Sequence, residues 1–146
     1  MNNFVLFLDF DGVLHPSGGN ASAEHFSRLP MLEKLLREPV HQELRIVVSS
    51  TWREIYPVER LRSFFSPGLR ARVSGSTPVL DDYDSDYGRF EEIRSWLSKH
   101  PGVSRWAALD DDIEGFPPHQ RKCVVFTDPA VGLTDQTLAE LRQLLA

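Results

Sequence analysis

At 146 residues the chain suits one domain, read here as residues 1–146, long enough to bury about two-thirds of its unfolded surface. Its 41% hydrophobic and 25% charged residues are ordinary for a globular fold, and a formal charge of −5 counts against broad electrostatic capture of nucleic acid. No apolar run nears the roughly 20 residues of a membrane span and no basic-then-apolar leader opens the chain; with Cys123 a lone thiol in an apolar run, read as buried, the expected setting is the cytoplasm, with no membrane partner.

Phe4-Val5-Leu6-Phe7-Leu8 is a run of five apolar residues, as expected of a strand buried on both faces of a parallel sheet. Asp9 and Asp11 follow where that strand should end, and Gly12 lets the backbone turn just beyond them. Ligands in open α/β sheets sit at the carboxyl ends of strands. In an extended chain the two carboxylates point to the same side, so they are expected to share one site. His15 to Ser27, with Pro16, Gly18, Gly19 and Asn20, has loop composition. Leu29, Leu32, Leu35 and Leu36 then recur at helical spacing, consistent with a crossover helix. Arg45-Ile46-Val47-Val48 is the second predicted strand, ending in Ser49-Ser50-Thr51. A helical segment is expected from about Trp52 to Phe65, bent or restarted at Pro57.

Leu69 to Val73 is the predicted third strand, entering the turn-rich Ser74 to Pro78. The acidic stretch Asp81, Asp82, Asp84 and Asp86 reads as a solvated loop, with a modest lid as the alternative. Phe90, Ile93, Trp96 and Leu97 mark one face of a helix from Gly88 to His100, ended by Pro101-Gly102. Trp106 to Leu109 is a fourth strand running into Asp110-Asp111-Asp112, and Cys123 to Phe126 a fifth. Thr134 is the expected N-cap of a last helix burying Leu138, Leu141, Leu144 and Leu145. This alternation predicts an α/β fold, a central parallel sheet of about five strands with helices on both faces.

Three of these strands end in polar clusters: Asp9 and Asp11, Ser49 to Thr51, and Asp110 to Asp112. In a parallel sheet their ends share one edge. Carboxylates packed together repel and raise one another's pKa, so a cation is expected among them. Mg²⁺ suits an all-oxygen set that leaves room for phosphate, and the hydroxyls and following amides suit phosphate oxygens. Taken singly, several neighbours have plainer roles. Asp112 reads as a turn former, Thr51 and Ser50 as helix caps, and Arg53 as a surface residue. Trp52 and Trp106 read as packing residues and His15 as a loop histidine.

Asp9-Phe10-Asp11-Gly12-Val13 resembles the first motif of the haloacid dehalogenase (HAD) superfamily of phosphotransferases. Val48-Ser49 resembles its second motif and Leu109-Asp110-Asp111 its fourth, in the order and spacing of that family. Ser49-Ser50-Thr51-Trp52-Arg53 and Trp106-Ala107-Ala108-Leu109-Asp110-Asp111 are similar, more narrowly, to the HAD domain of bacterial RNA-repair proteins. The resemblance implies a Rossmann-like HAD fold with Asp9 as nucleophile and Asp11 as general acid and base. It implies Mg²⁺ held by Asp9, the backbone carbonyl of Asp11, and Asp110 or Asp111. Ser49, with Ser50 beside it, is expected on a phosphate oxygen. The basic residue of the third motif is assigned to Arg89, with Arg53 as second candidate.

Neither the loop after the first motif nor that after the third strand is long enough for a full cap domain, which implies an open site. Open sites in this superfamily often go with macromolecular substrates, and the narrower likeness favours a terminal nucleic-acid phosphate. A small phosphomonoester, phosphotransfer to an acceptor other than water, and a catalytically silent domain binding a phosphorylated partner are the alternatives.

Overall fold

All five residues of β1 (Phe4–Leu8) are buried, and this strand lies at the centre of the sheet, as its uninterrupted apolar run predicts. The structure is a computed structural model and describes residues 3–17 and 25–146. The sheet has five strands in the order β3-β2-β1-β4-β5, all parallel, with β2 (Arg45–Val48), β3 (Val73–Ser76), β4 (Arg105–Asp110) and β5 (Val124–Phe126). Register is tight around β1, where Leu8 stands beside Val48 on one side and Leu109 on the other. The ends of β1, β2 and β4 are therefore level, and the polar residues just beyond them line up along one rim.

Alternation of side chains along β1 divides the core in two. Phe4, Leu6 and Leu8 pack with Ile46 and Val48 against α1 (Leu29–Leu36), α2 (Val58–Ser63) and α4 (Asp135–Leu145). Val5 and Phe7 pack on the other face against Ile93 and Trp96 of α3 (Gly88–Ser98) and against Phe116. The expected Rossmann-like sheet with helices on both faces is present, and no inserted cap domain occurs among the described residues.

Several local expectations need correction. The third strand starts at Val73, not Leu69: Pro67–Arg72 forms a 3₁₀ turn, and Leu69 is a core residue within it. Gly75 and Ser76, read as turn residues, pair with Val47 and Val48. The segment after β2 is not one helix but a 3₁₀ turn, Thr51–Glu54, then α2, with Pro57 extended between them. Ser50 caps that 3₁₀ turn, its hydroxyl accepting the Trp52 N–H, while Thr51 is exposed. Leu144 is only partly buried, and Cys123 is half-buried with its thiol pKa pushed up by desolvation. Thr134 caps α4 as expected, in a reciprocal pair with Thr137. Gly18, Gly19 and Asn20, from the loop expected over His15 to Ser27, lie outside the described residues. No helix among the described residues is long and apolar enough to cross a membrane.

Candidate active site

The ladder continues one residue past each strand at the carboxyl rim. Asp9 N–H donates to the Leu109 carbonyl (3.0 Å), Ser49 N–H to Leu8 (2.8 Å) and Thr127 N–H to Asp110 (3.0 Å). These bonds fix the backbone under each polar group before any side-chain contact is made.

Asp9, Asp110 and Asp111 each bring a carboxylate oxygen to within 4.8 Å of the others. Asp9 is 4% and Asp110 1% exposed, so this is a buried cluster and not a solvated acidic face. Burial, and then the Asp110 charge, hold the Asp9 carboxyl well above the usual carboxylate range. Burial also lifts Asp110, to about 7, although Arg89 and the Asp112 N–H pull the other way. Asp112 N–H donates to Asp110 Oδ1 at 3.0 Å, and Phe10 N–H to Asp9 Oδ1 at 2.8 Å. Asp111 leans over Gly12, its Oδ2 2.2 Å from where a Cβ on that glycine would stand.

Among the described residues, Arg89 brings a cation to this cluster. Arg89, second residue of α3, sets Nε 3.2 Å from Asp110 Oδ2 and donates through Nη1 to the Ser49 carbonyl at 2.6 Å. Burial alone would lower its pKa, but the charges of Asp110 and Asp9 more than offset that, so the guanidinium is held firmly charged. Three clustered carboxylates against one guanidinium leave an excess of negative charge. An all-oxygen donor set with such an excess fits a hard divalent cation. Beside it, Ser49 Oγ is buried without a hydrogen-bond partner among the described residues, a hydroxyl that a phosphate oxygen would satisfy.

The Asp11 carboxylate is not one of the three. Its side chain turns to His15 and Trp52: His15 Nε2 lies 2.8 Å from Asp11 Oδ1, and Trp52 Nε1 donates to the same oxygen at 3.0 Å. The backbone turns as soon as β1 ends, with the Val13 and Leu14 N–H groups both donating to the Phe10 carbonyl (3.1 and 2.8 Å), so the extended run that would have aimed both acids alike does not continue. Thr127 Oγ1 donates to the Gly12 carbonyl (2.6 Å) and ties this loop to the end of β5.

The other expected residues fall in different places. Ser50 is fully buried, with its hydroxyl at the turn. The Arg53 side chain is only 5% exposed, donating to the carbonyls of Thr77, Ser50 and Pro78 and pairing with Glu92 at 2.8 Å. The acidic stretch is exposed, as read, but tied down: Glu91 accepts the N–H groups of Asp84 and Ser85. Beside Arg89 a cleft of about 430 Å³ opens between Thr51 and Arg53 on one wall and Asp86 and Glu114 on another. A larger hollow, about 730 Å³, lies by Asn3, Arg45 and Ser74, and none of the acids, serines or arginines of the carboxyl rim lines it.

His15 and Trp52 are the residues whose sequence reading fell short. Read as a loop histidine and a packing residue, both touch Asp11, and His15 is only 1% exposed. Trp52 does pack, edge-on to Phe10 and Phe64, and Trp106 packs against Phe7 and Phe90 as expected.

A parallel sheet that carries its acids and a bare hydroxyl along the carboxyl rim places the chain among Rossmann-like α/β domains of the HAD type. The family model described as "HAD domain in Swiss Army Knife RNA repair proteins" matches residues 5–138, and the chain belongs to that family. No match was found among curated proteins or among solved structures.

Proposed function

We propose that the chain is a Mg²⁺-dependent phosphomonoester hydrolase working through an aspartyl-phosphate, with a nucleic-acid end as its phosphate carrier. The observation that supports this best is the convergence of Asp9, Asp110 and Asp111 beside the unpartnered hydroxyl of Ser49. Asp9, the Asp11 backbone carbonyl, and Asp110 or Asp111 would hold the ion. When bound, Mg²⁺ would neutralise the carboxylates and draw charge from the transferring phosphoryl group.

Ser49 Oγ and the amides at the start of the following turn hold the phosphate oxygens in this reading, and Arg89 keeps Asp110 in place while adding positive charge. An Asp9 carboxylate oxygen attacks phosphorus. The bond to the leaving oxygen breaks with its electron pair, and Asp11 gives that oxygen a proton, releasing an alcohol. Water then loses a proton to Asp11 and attacks the same phosphorus. The bond to Asp9 breaks, giving inorganic phosphate and the starting protonation of both acids.

The family description supports a nucleic-acid substrate, and the absence of an inserted cap among the described residues leaves the rim open to a polymer end. Phosphate release from p-nitrophenyl phosphate with Mg²⁺ tests the chemistry: the parent should be active and Asp9→Asn inactive. Equal release from both removes Asp9 as nucleophile; none from either favours a silent domain that binds a phosphorylated partner. For the substrate, 3′- and 5′-phosphorylated oligonucleotides should outpace nucleotides, sugar phosphates and phosphopeptides. Preference for a small ester would overturn the polymer assignment alone.

A further inference from the structure

His15 is buried, and its two ring nitrogens have different partners. The Phe26 N–H points at Nδ1 from 3.2 Å, while Nε2 stands 2.8 Å from Asp11 Oδ1. A backbone amide can only donate, so Nδ1 is the acceptor and the ring proton sits on Nε2, facing Asp11. The chain takes an unusual route to make this contact. Phe26 holds φ +62°, a backbone region that residues with a bulky side chain seldom occupy. Its ring is held there by stacking on Phe64 at 4.8 Å and by edge contacts with Phe10 and Trp52. The aromatic cluster thus fixes an amide, the amide fixes a tautomer, and the tautomer fixes a carboxylate.

Trp52 Nε1–H donates to the same Asp11 oxygen at 3.0 Å. Oδ1 therefore receives two N–H groups and is the charge-bearing acceptor. Any proton carried by Asp11 goes on Oδ2, the oxygen with no such partner among the described residues. The Asp11 side chain is 47% exposed, and Oδ2 makes neither of these bonds.

We infer that His15, seconded by Trp52, is a positioning residue for proton transfer by Asp11: it locks one carboxylate oxygen as acceptor and so presents the other, Oδ2, as the site of proton donation to the leaving oxygen. The inference rests on the hydrolase reading above and adds a residue to it. The step is a single proton passing from Asp11 Oδ2–H to the departing oxygen as its bond to phosphorus breaks, leaving the Asp11 carboxylate with both His15 and Trp52 bonds in place.

Two monoesters that differ in leaving group test it, assayed on the full chain with Mg²⁺. Phenyl phosphate needs a proton on its leaving oxygen; 2,4-dinitrophenyl phosphate departs without one. Because kcat/KM covers binding and the phosphorylation of Asp9 but not the later hydrolysis, it reports on the donating step. His15→Leu should lower kcat/KM for phenyl phosphate by about 10²-fold and that for the dinitrophenyl ester by no more than about threefold. Partial misfolding lowers both alike and leaves their ratio untouched. His15→Gln, which offers an N–H near the place of Nε2, should restore most of the phenyl phosphate rate, and Trp52→Phe should shift the ratio in the same direction by less.

An unchanged ratio in His15→Leu, or His15→Gln as damaging as Leu, overturns the role of His15 while hydrolysis by the parent stands. If His15→Leu does not fold, the ratio in Trp52→Phe decides, and no shift there overturns the proposal. A parent inactive on both esters removes the hydrolase reading and this inference with it.

Discussion

Gly12 does two things that no other residue at its position can do together. It holds φ +77°, and it leaves free the space that Asp111 fills, with Oδ2 2.2 Å from a would-be Cβ. Gly12→Ala should cost about 1–2 kcal/mol for the left-handed backbone alone, measured by urea unfolding. The larger consequence is chemical, because Asp111 must move out of the carboxylate cluster. Mg²⁺ affinity measured by calorimetry should therefore fall in this variant. If affinity is unchanged while stability drops, Asp110 is the rim acid that binds the ion and Asp111 only packs against the loop.

The two candidate arginines are separated by the elements that carry them. Arg89 begins α3 and reaches across to Asp110 and Ser49, so its charge lies within the cluster. Arg53 sits on the 3₁₀ turn after β2, where its donors close the gap between that turn, the end of β3 and Glu92. Arg53→Met removes the direct ion-pair partner of the buried Glu92 and should destabilise the fold by about 3–5 kcal/mol in urea. A loss below about 1 kcal/mol would mean the guanidinium is free for phosphate after all. Sequence alone could not show what occupies Arg53, because its carbonyl partners Thr77 and Pro78 lie 24 and 25 residues away. The same limit hid His15, whose tautomer is set by an amide 11 residues along. The placement of Asp9, Ser49 and Asp110 at the rim was legible because each ends an apolar run that can only be a buried strand. β3 was not, because it is an edge strand paired on one side; Ser74-Gly75-Ser76 need bury little, and the apolar signal nearby belongs to Leu69 in the preceding turn.

The buried acids also make the stability of the whole protein depend on pH, with a sign opposite to that of ordinary salt-bridged carboxylates. Unfolded aspartates ionise near pH 4 (about 3.9), whereas in the metal-free fold burial pushes Asp110 up to about 7 and holds Asp9 well above its usual range. Well below about pH 4 both states carry these protons and there is no difference between them. Above it the unfolded chain releases protons that the native state keeps, so stability falls as pH rises from about 4 through about 7. Mg²⁺ takes the place of those protons and binds only the deprotonated carboxylates. Thermal unfolding without metal should therefore show a lower Tm at about pH 8 than at about pH 5. Added Mg²⁺ should raise Tm strongly at the higher pH and weakly at the lower, where protons compete for the same oxygens. Asp110→Asn, which cannot ionise, should weaken the metal-free dependence to the part that Asp9 still carries and reduce the magnesium increment with it. A metal-free Tm already level across that range, or an equal magnesium increment at both ends of it, would mean that the three carboxylates relax apart in solution and do not form the cluster on which the proposed chemistry depends.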